Sequence, residues 1–161
     1  MIKQIKSFKY AFEGIWYTIL NETHMRFHIA TAFFVLIFAA IFGLSNLEWA
    51  ILIVTISSVM SLELVNTAME RLCNLYSTER HPLIKIVKDV SAGAVLISAI
   101  GSVAVGFFVF FKPEKIVWVF NLFLANPLYI VCLFIAVILS VLFVVKFHPK
   151  KDKKNGISQK K

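Results

Sequence analysis

Cysteine is almost missing from this sequence, which contains only Cys73 and Cys132. The two stand far apart and lack the close spacing of paired metal ligands, which excludes a metal site built on cysteine. Because both fall in apolar stretches, we expect two free, buried thiols.

The glycine-rich loops that cradle phosphates are missing as well. Neither G-x-x-x-x-G-K-[ST] nor G-x-G-x-x-G occurs anywhere in the chain. A function that uses a nucleotide must therefore rest on a different arrangement of side chains.

A cleavable signal peptide is also not expected. The first 25 residues have no uninterrupted apolar run, because Lys3, Lys6, Lys9, Glu13 and Glu22 break it. We expect the first membrane-spanning segment to direct insertion.

Acidic residues are few, and apolar residues are abundant. Nine Asp and Glu stand against seventeen Lys and Arg, giving a net charge of +8, and 59% of the residues are hydrophobic. Soluble domains contain about 45–50% apolar residues, so the composition predicts an integral membrane protein.

Basic residues concentrate at the C-terminus. This tail predicts attraction to anionic lipid head groups, at about 1 kcal/mol per basic residue near the surface. Nucleic-acid binding is not predicted, because no aromatic platform or folded basic motif accompanies the charge. The tail residues are Lys146, Lys150, Lys151, Lys153, Lys154, Lys160 and Lys161.

Hydrophobic periodicity predicts an all-α membrane protein. Residues 2–22 alternate apolar and charged faces at helical spacing, which is typical of an amphipathic surface helix. A hydrophilic loop is expected over residues 71–89. Between the third and fourth spans we expect an interfacial piece around Trp118, or alternatively one long tilted helix over 116–145. The expected spans are 27–44, 47–68, 90–111 and 128–145.

Orientation follows from the basic residues. The N-terminal segment, the 71–89 segment and the tail are basic, whereas the 43–48 turn has no Lys or Arg. The positive-inside rule then places both termini in the cytoplasm, as four spans allow.

A polar stripe at the end of the second span is the main functional signal. Glu63, Asn66 and Glu70 share one helical face. Two carboxylates at mid-bilayer depth would cost roughly 5–7 kcal/mol, so a helix that only spans a membrane would not carry them. The stripe indicates a site for cations or for proton transfer.

Other polar residues are expected at the same depth, namely Glu22 and Arg26 before the first span and Lys88 with Asp89 before the third. Carboxylates suit Mg²⁺, a lysine suits a phosphate and a metal-free glutamate can act as a base. These are the components of phosphoryl transfer.

Structural alternatives for the same residues stay open. Asn66 can join two helices, Lys88 and Asp89 can mark a helix start, and Glu63 can pair with Arg71. The stripe can also form a small ion or proton conduit.

Several motifs together carry a family resemblance over residues 3–111. They are Glu63-x-x-Asn66-x-Ala68-x-Glu70, Lys88-Asp89-x-x-Ala92-x-Ala94-Val95, Asn21-Glu22 with Arg26, and Phe8 to Ile15 as F-x-Y-A-x-x-G-[IL]. With these motifs the chain resembles the prokaryotic diacylglycerol kinase family, which includes the undecaprenol kinases.

The resemblance implies a homotrimeric lipid kinase of the bacterial inner membrane, with a surface helix and three spans. ATP would be the co-substrate, Mg²⁺ the metal and a membrane lipid alcohol the acceptor. Residues 1–112 would form the kinase domain, followed by an additional hydrophobic segment over 113–145 and the basic tail over 146–161.

The resemblance also implies residue roles. Glu63 would be the general base and contact the lipid hydroxyl, with Asn66 ordering the site and Arg26 contacting the lipid substrate. Glu22 and Glu70 would bind the metal and ATP. The other residues expected to meet ATP are Tyr10, Glu79, Arg80, His81, Lys88 and Asp89.

Two departures from the family pattern bear on activity. Asn74 stands where the family usually has Asp, which either weakens the site or marks one rebuilt around an amide. A weakened site would suit an assembly or regulatory protein. The segment after residue 112 is additional, and we expect it to be peripheral and dispensable for catalysis.

The acceptor stays open between undecaprenol and diacylglycerol. Family members that resemble this chain in its basic, lysine-rich composition tend towards undecaprenol, so the resemblance favours that acceptor.

Overall fold

A computed structural model of the chain describes residues 2–76 and 81–146. Within these ranges the protein is entirely α-helical, without a strand, as predicted. Four of its helices, α2, α3, α4 and α6, are long and apolar enough to cross a membrane. The helices are α1 (Ile2–Asn21), α2 (Thr23–Phe42), α3 (Asn46–Tyr76), α4 (Pro82–Phe110), α5 (Pro113–Ala125) and α6 (Pro127–Lys146).

The turn between α2 and α3 is set by local chemistry. Gly43 ends α2 in the left-handed conformation, with φ of 64°, which residues with a Cβ rarely adopt. Ser45 donates its backbone N–H (2.9 Å) and its hydroxyl (2.8 Å) to Oε2 of Glu48, which caps the start of α3.

The C-terminal segment forms two helices. α5 has a proline in its first turn and α6 begins at Pro127, directly after Asn126 ends α5. Proline is favoured at a helix start because its missing N–H has no intrahelical partner there. The break between a piece around Trp118 and a separate fourth long helix is therefore confirmed, and the single long helix is wrong; the interfacial placement of α5 stays a prediction.

The predicted loop over residues 71–89 is wrong. α3 continues to Tyr76, and α4 already begins at Pro82, where Nδ1 of His81 accepts from the backbone N–H of Leu83 at 3.3 Å. The 31 residues of α3 reach about 46 Å at a rise of 1.5 Å per residue, well beyond the hydrocarbon core. The backbone hydrogen bonds of a helix form within the helix, in water as well as in lipid. Polar side chains at the end of the apolar stretch therefore did not end α3.

Packing brings the N-terminal part of the chain around α3. α4 packs along α3 over the largest stretch, α2 lies against α3, and α1 contacts both α2 and α3. α6 packs on α2 and runs antiparallel to it, because Tyr129 shares a cavity with Ile41 whereas Val144 lies at Arg26. The end of α6 therefore lies on the same side of the bundle as the end of α1.

At the opposite side, two lysines fasten the C-terminal segment to the α2–α3 turn. Lys112 forms an ion pair with Glu48. Nζ of Lys115 donates to the carbonyls of Phe42 (3.0 Å) and Gly43 (2.7 Å), which are the last carbonyls of α2. The segment is thus held at both ends of α2.

Both cysteines are free thiols, and Cys73 is buried. Cys132 is exposed on α6. The expectation of a second buried thiol is wrong, because Cys132 lines a cavity that α6 leaves against α2 and α5.

Candidate active site

Glu63 is the centre of a cluster of ionisable side chains at one end of α3. Its side chain is only 3% exposed. Glu22, Glu70 and His24 lie close enough to act on it electrostatically. The three carboxylates that the sequence singled out are thus brought together, with Glu22 supplied by the extended residue between α1 and α2.

Asn66 is buried one turn further along α3. Its Oδ1 accepts a hydrogen bond from Oγ of Ser91 on α4 at 2.8 Å, and the same hydroxyl lies 3.0 Å from the carbonyl of Lys88. The bond fixes the register of α3 and α4 beside Glu63. Sequence reasoning missed Ser91, although its position three residues after Lys88 was a usable signal.

Glu22 is paired with a cation. Its Oε1 lies 2.6 Å from Nη2 of Arg71 on α3, and the guanidinium of Arg71 lies 5.4 Å from the centre of the Tyr17 ring. Arg71 therefore ties the α1–α2 corner to α3, and the alternative that it pairs with Glu63 is wrong. Residues so far apart in sequence gave no local signal for this pair.

Lys88 and Asp89 lie in the second turn of α4, so their interpretation as a helix start is wrong. Nζ of Lys88 donates to Oδ1 of Asn74 at 2.7 Å, which links α4 to the end of α3. Asp89 instead pairs along its own helix with Lys85, at 2.6 Å. Lys88 thus faces the side of α3 that carries the carboxylates, and none of the ion pairs among the described residues includes it.

A cavity of about 450 Å³ lies between α1 and α3 beside this cluster. Tyr10, Tyr17, Thr67 and Arg71 contribute polar atoms to its lining. Oγ1 of Thr67 is buried and has no hydrogen-bond partner among the residues that the structure describes. Buried polar atoms are nearly always paired, so this hydroxyl is available to a ligand.

A second cavity, of about 240 Å³, lies deeper between α2, α3 and α4. Its walls are mostly apolar and include Val35, Leu52, Val59 and Met60. Val59 and Met60 stand about one turn before Glu63 on α3. The cavity therefore extends along α3 to within about one turn of Glu63.

Some of the predicted site residues do not belong to the cluster around Glu63. Arg26, expected to touch a substrate, is 1% exposed and is engaged by backbone carbonyls. His81 caps α4. Glu79, Arg80 and the tail beyond residue 146 lie outside the described residues.

The metal-binding capacity of the cluster is limited. Within residues 2–76 and 81–146, no group of three or more His, Cys, Asp or Glu side chains is arranged to hold a metal. Mg²⁺ often takes only one or two carboxylates and completes its shell with phosphate oxygens and water. Glu22 and Glu70 are thus the candidate carboxylates for a magnesium ion that arrives with a nucleotide.

The similarity to known proteins extends over α1 to α4. A sequence model of the family described as prokaryotic diacylglycerol kinase matches residues 9–110. An undecaprenol kinase of Bacillus subtilis (strain 168) is 43% identical over 105 residues, which are 65% of this chain and 85% of that protein. A diacylglycerol kinase of Synechocystis is 41% identical over 101 residues, 62% of this chain and 58% of that protein. A diacylglycerol kinase of Helicobacter pylori (strain 26695) is 30% identical over 102 residues, covering 59% of this chain and 80% of the relative.

Proposed function

The chain belongs to the prokaryotic diacylglycerol kinase family and is a membrane lipid kinase, and we propose that it transfers the γ-phosphate of ATP to a lipid hydroxyl in a Mg²⁺-dependent reaction. The observation that carries this proposal is the buried Glu63, which lies near Glu22 and Glu70 and about one turn along α3 from the wall of an apolar cavity. Residues 1–112 would form the kinase domain and 113–145 an additional membrane segment.

Glu63 would accept the proton of the attacking hydroxyl. Its side chain is buried, and it lies about one turn along α3 from Val59 and Met60, which line the deeper cavity. The bond between Asn66 and Ser91 would hold the α3–α4 pair in the register that the base requires. A positioned base of this kind contributes about 10²–10⁴-fold to a rate.

The nucleotide would lie on the other side of Glu63. Lys88 faces α3 and belongs to none of the ion pairs among the described residues. Tyr10 lines the cavity between α1 and α3, where the Thr67 hydroxyl has no hydrogen-bond partner within residues 2–76 and 81–146. Glu22 and Glu70 would hold Mg²⁺, which neutralises phosphate charge when bound. By family resemblance, Asp89, His81 and the Glu79–Arg80 pair would also meet ATP.

The acceptor is proposed to be a lipid alcohol whose chain enters the deeper cavity. Its walls include Val35, Leu52 and Met60 and suit an acyl or isoprenoid chain equally. The reported relatives carry both names, undecaprenol kinase and diacylglycerol kinase, and the higher identity belongs to the undecaprenol kinase. We therefore favour undecaprenol.

The direct test uses purified protein, radiolabelled ATP and mixed micelles with either undecaprenol or diacylglycerol. Label should appear in the lipid phase only when Mg²⁺ is present. No labelling of either lipid would overturn the proposed reaction, and equal labelling would remove the preference for undecaprenol.

Asn74→Asp is expected to weaken ATP binding. Asn74 now accepts from Lys88 through a neutral oxygen, whereas an aspartate would form a stronger, charge-assisted bond and compete with phosphate for the ammonium. The KM for ATP should rise by up to about tenfold, which corresponds to 1.4 kcal/mol. A lower KM would show instead that the missing carboxylate is a loss to the site.

The protein is proposed to reside in the bacterial inner membrane with both termini in the cytoplasm, as a homotrimer whose basic tail contacts anionic lipids. The antiparallel arrangement of α2 and α6 supports placing the ends of α1 and α6 on one side.

A single cysteine at position 155, in a chain with Cys73→Ser and Cys132→Ser, tests this orientation. It should resist a membrane-impermeant thiol reagent in intact cells and react once the membrane is opened. Full labelling in intact cells would contradict the cytoplasmic tail.

A further inference from the structure

Arg26 is the most completely buried large side chain of the described residues, with 1% of it exposed. None of the ion pairs among the described residues includes Arg26. Its nitrogens instead donate to Ile19 O (3.1 Å), Leu20 O (3.0 Å), Thr23 Oγ1 (3.0 Å) and Val144 O (3.2 Å).

The acceptors belong mostly to the ends of two helices. The last carbonyls of a helix have no intrahelical partner and form the negative end of its dipole. Ile19 and Leu20 lie in the last turn of α1, and Val144 lies in the last turn of α6. One guanidinium therefore caps two helix C-termini, and these carbonyls replace the carboxylate that a buried arginine usually requires.

The position of this junction gives it a role in the site. Glu22 lies between Leu20, whose carbonyl Arg26 holds, and Thr23, whose hydroxyl Arg26 also contacts. The carboxylate of Glu22 then meets Arg71 on α3. The orientation of the α1–α2 corner, and with it the direction of Glu22, thus depends on the contacts of Arg26.

We propose that Arg26 is a positioning residue for Glu22, and that α6 completes its binding site through the carbonyl of Val144. The segment after residue 112 would then tune metal and nucleotide binding in the neighbouring kinase domain. The inference rests on the proposed function insofar as it gives Glu22 a role toward Mg²⁺. The proposal replaces two expectations from the sequence, namely that Arg26 contacts the lipid and that the C-terminal segment is dispensable for catalysis.

The first experiment compares Arg26→Gln and Arg26→Lys in the full chain. Neither side chain can reach four acceptors on separate elements, so both should loosen the corner, and lysine less because it keeps the charge. We expect Arg26→Gln to weaken Mn²⁺ binding about tenfold or more, because mutation of residues that support metal ligands typically lowers metal affinity by about 10–100-fold. Mn²⁺ binding is measured by electron paramagnetic resonance in the presence of a non-hydrolysable ATP analogue. The KM for the lipid should stay within about twofold, well under the 1.4 kcal/mol of a tenfold change.

The second experiment tests the contribution of α6. A chain ending at residue 142 lacks Val144, and a matched chain ending at residue 146 keeps all of α6 and removes only the tail. Amide hydrogen exchange in the last turn of α1 should accelerate in the shorter chain and in Arg26→Gln, and stay unchanged in the longer one. Mn²⁺ binding should follow the same order.

Each outcome bears on the proposal. A raised lipid KM with unchanged Mn²⁺ binding would make Arg26 a substrate contact and overturn it. Identical exchange and Mn²⁺ binding in the two shortened chains would remove α6 from the junction. A full-length protein that phosphorylates no lipid, yet shows the expected exchange pattern, would contradict the proposed reaction and support the proposed role of Arg26 and α6.

Discussion

Glu63→Gln should lower kcat by about 10²–10⁴-fold, the range that a positioned general base contributes. The amide keeps the size of the side chain and can donate or accept hydrogen bonds, but it cannot take a proton from the lipid hydroxyl. Because Glu63 is buried, water has little access to replace it as the base. The KM for ATP should change little, since Lys88 lies on another helix.

Steady-state rates with saturating ATP, Mg²⁺ and lipid measure this effect. Glu114→Gln is a matched control, because Glu114 lies in the first turn of α5, at the end of the bundle away from Glu63. A Glu63→Gln enzyme with more than about half of the normal rate would have lost far less than a base contributes, and the base would have to be sought elsewhere.

Glu22→Gln and Glu70→Gln should each raise the Mg²⁺ concentration for half-maximal activity by about tenfold or more, because changes to supporting residues alone cost roughly 10–100-fold in metal affinity. Each variant removes a charged oxygen ligand from a set that contains few. A Mg²⁺ titration at fixed ATP measures the shift, and kcat at saturating Mg²⁺ should recover in part.

Glu22 needs a further comparison because it also pairs with Arg71. Arg71→Leu removes this ion pair and leaves the carboxylate of Glu22 in place. If Glu22 binds the metal, Glu22→Gln should raise the Mg²⁺ requirement clearly more than Arg71→Leu, which loosens the corner but keeps the carboxylate. Equal shifts in the two variants would mean that Glu22 serves to anchor the corner, and unchanged half-saturation in both glutamate variants would remove them from the metal shell.

The arrangement of helices was largely accessible from the sequence. A hydrocarbon core about 30 Å thick requires roughly twenty apolar residues per helix. The sequences of α2, α3, α4 and α6 each contain an apolar stretch of about that length. The amphipathic period of residues 2–22 marked α1 in the same local way. The last residue of α3 and the first residue of α4 were not accessible, because polarity marks where a helix leaves the lipid and not where it stops.

The sequence also marked the site. Carboxylates within an apolar helix are costly enough to indicate a function, so Glu63 and Glu70 stood out without any knowledge of their neighbours. Asn66 shared their helical face, and Glu22 and Lys88 were expected at the same depth; the resemblance of the surrounding motifs then implied their roles.

The partners of these residues were decided only by the tertiary structure. Glu22 meets Arg71 across 49 positions of sequence, Asn66 meets Ser91 across 25, and Arg26 meets Val144 across 118. Helical periodicity relates residues only three or four positions apart, so it carries no information about such pairs. They exist because α1, α4 and α6 pack at particular heights against α2 and α3, which brings a buried arginine to the carbonyls of two helix ends.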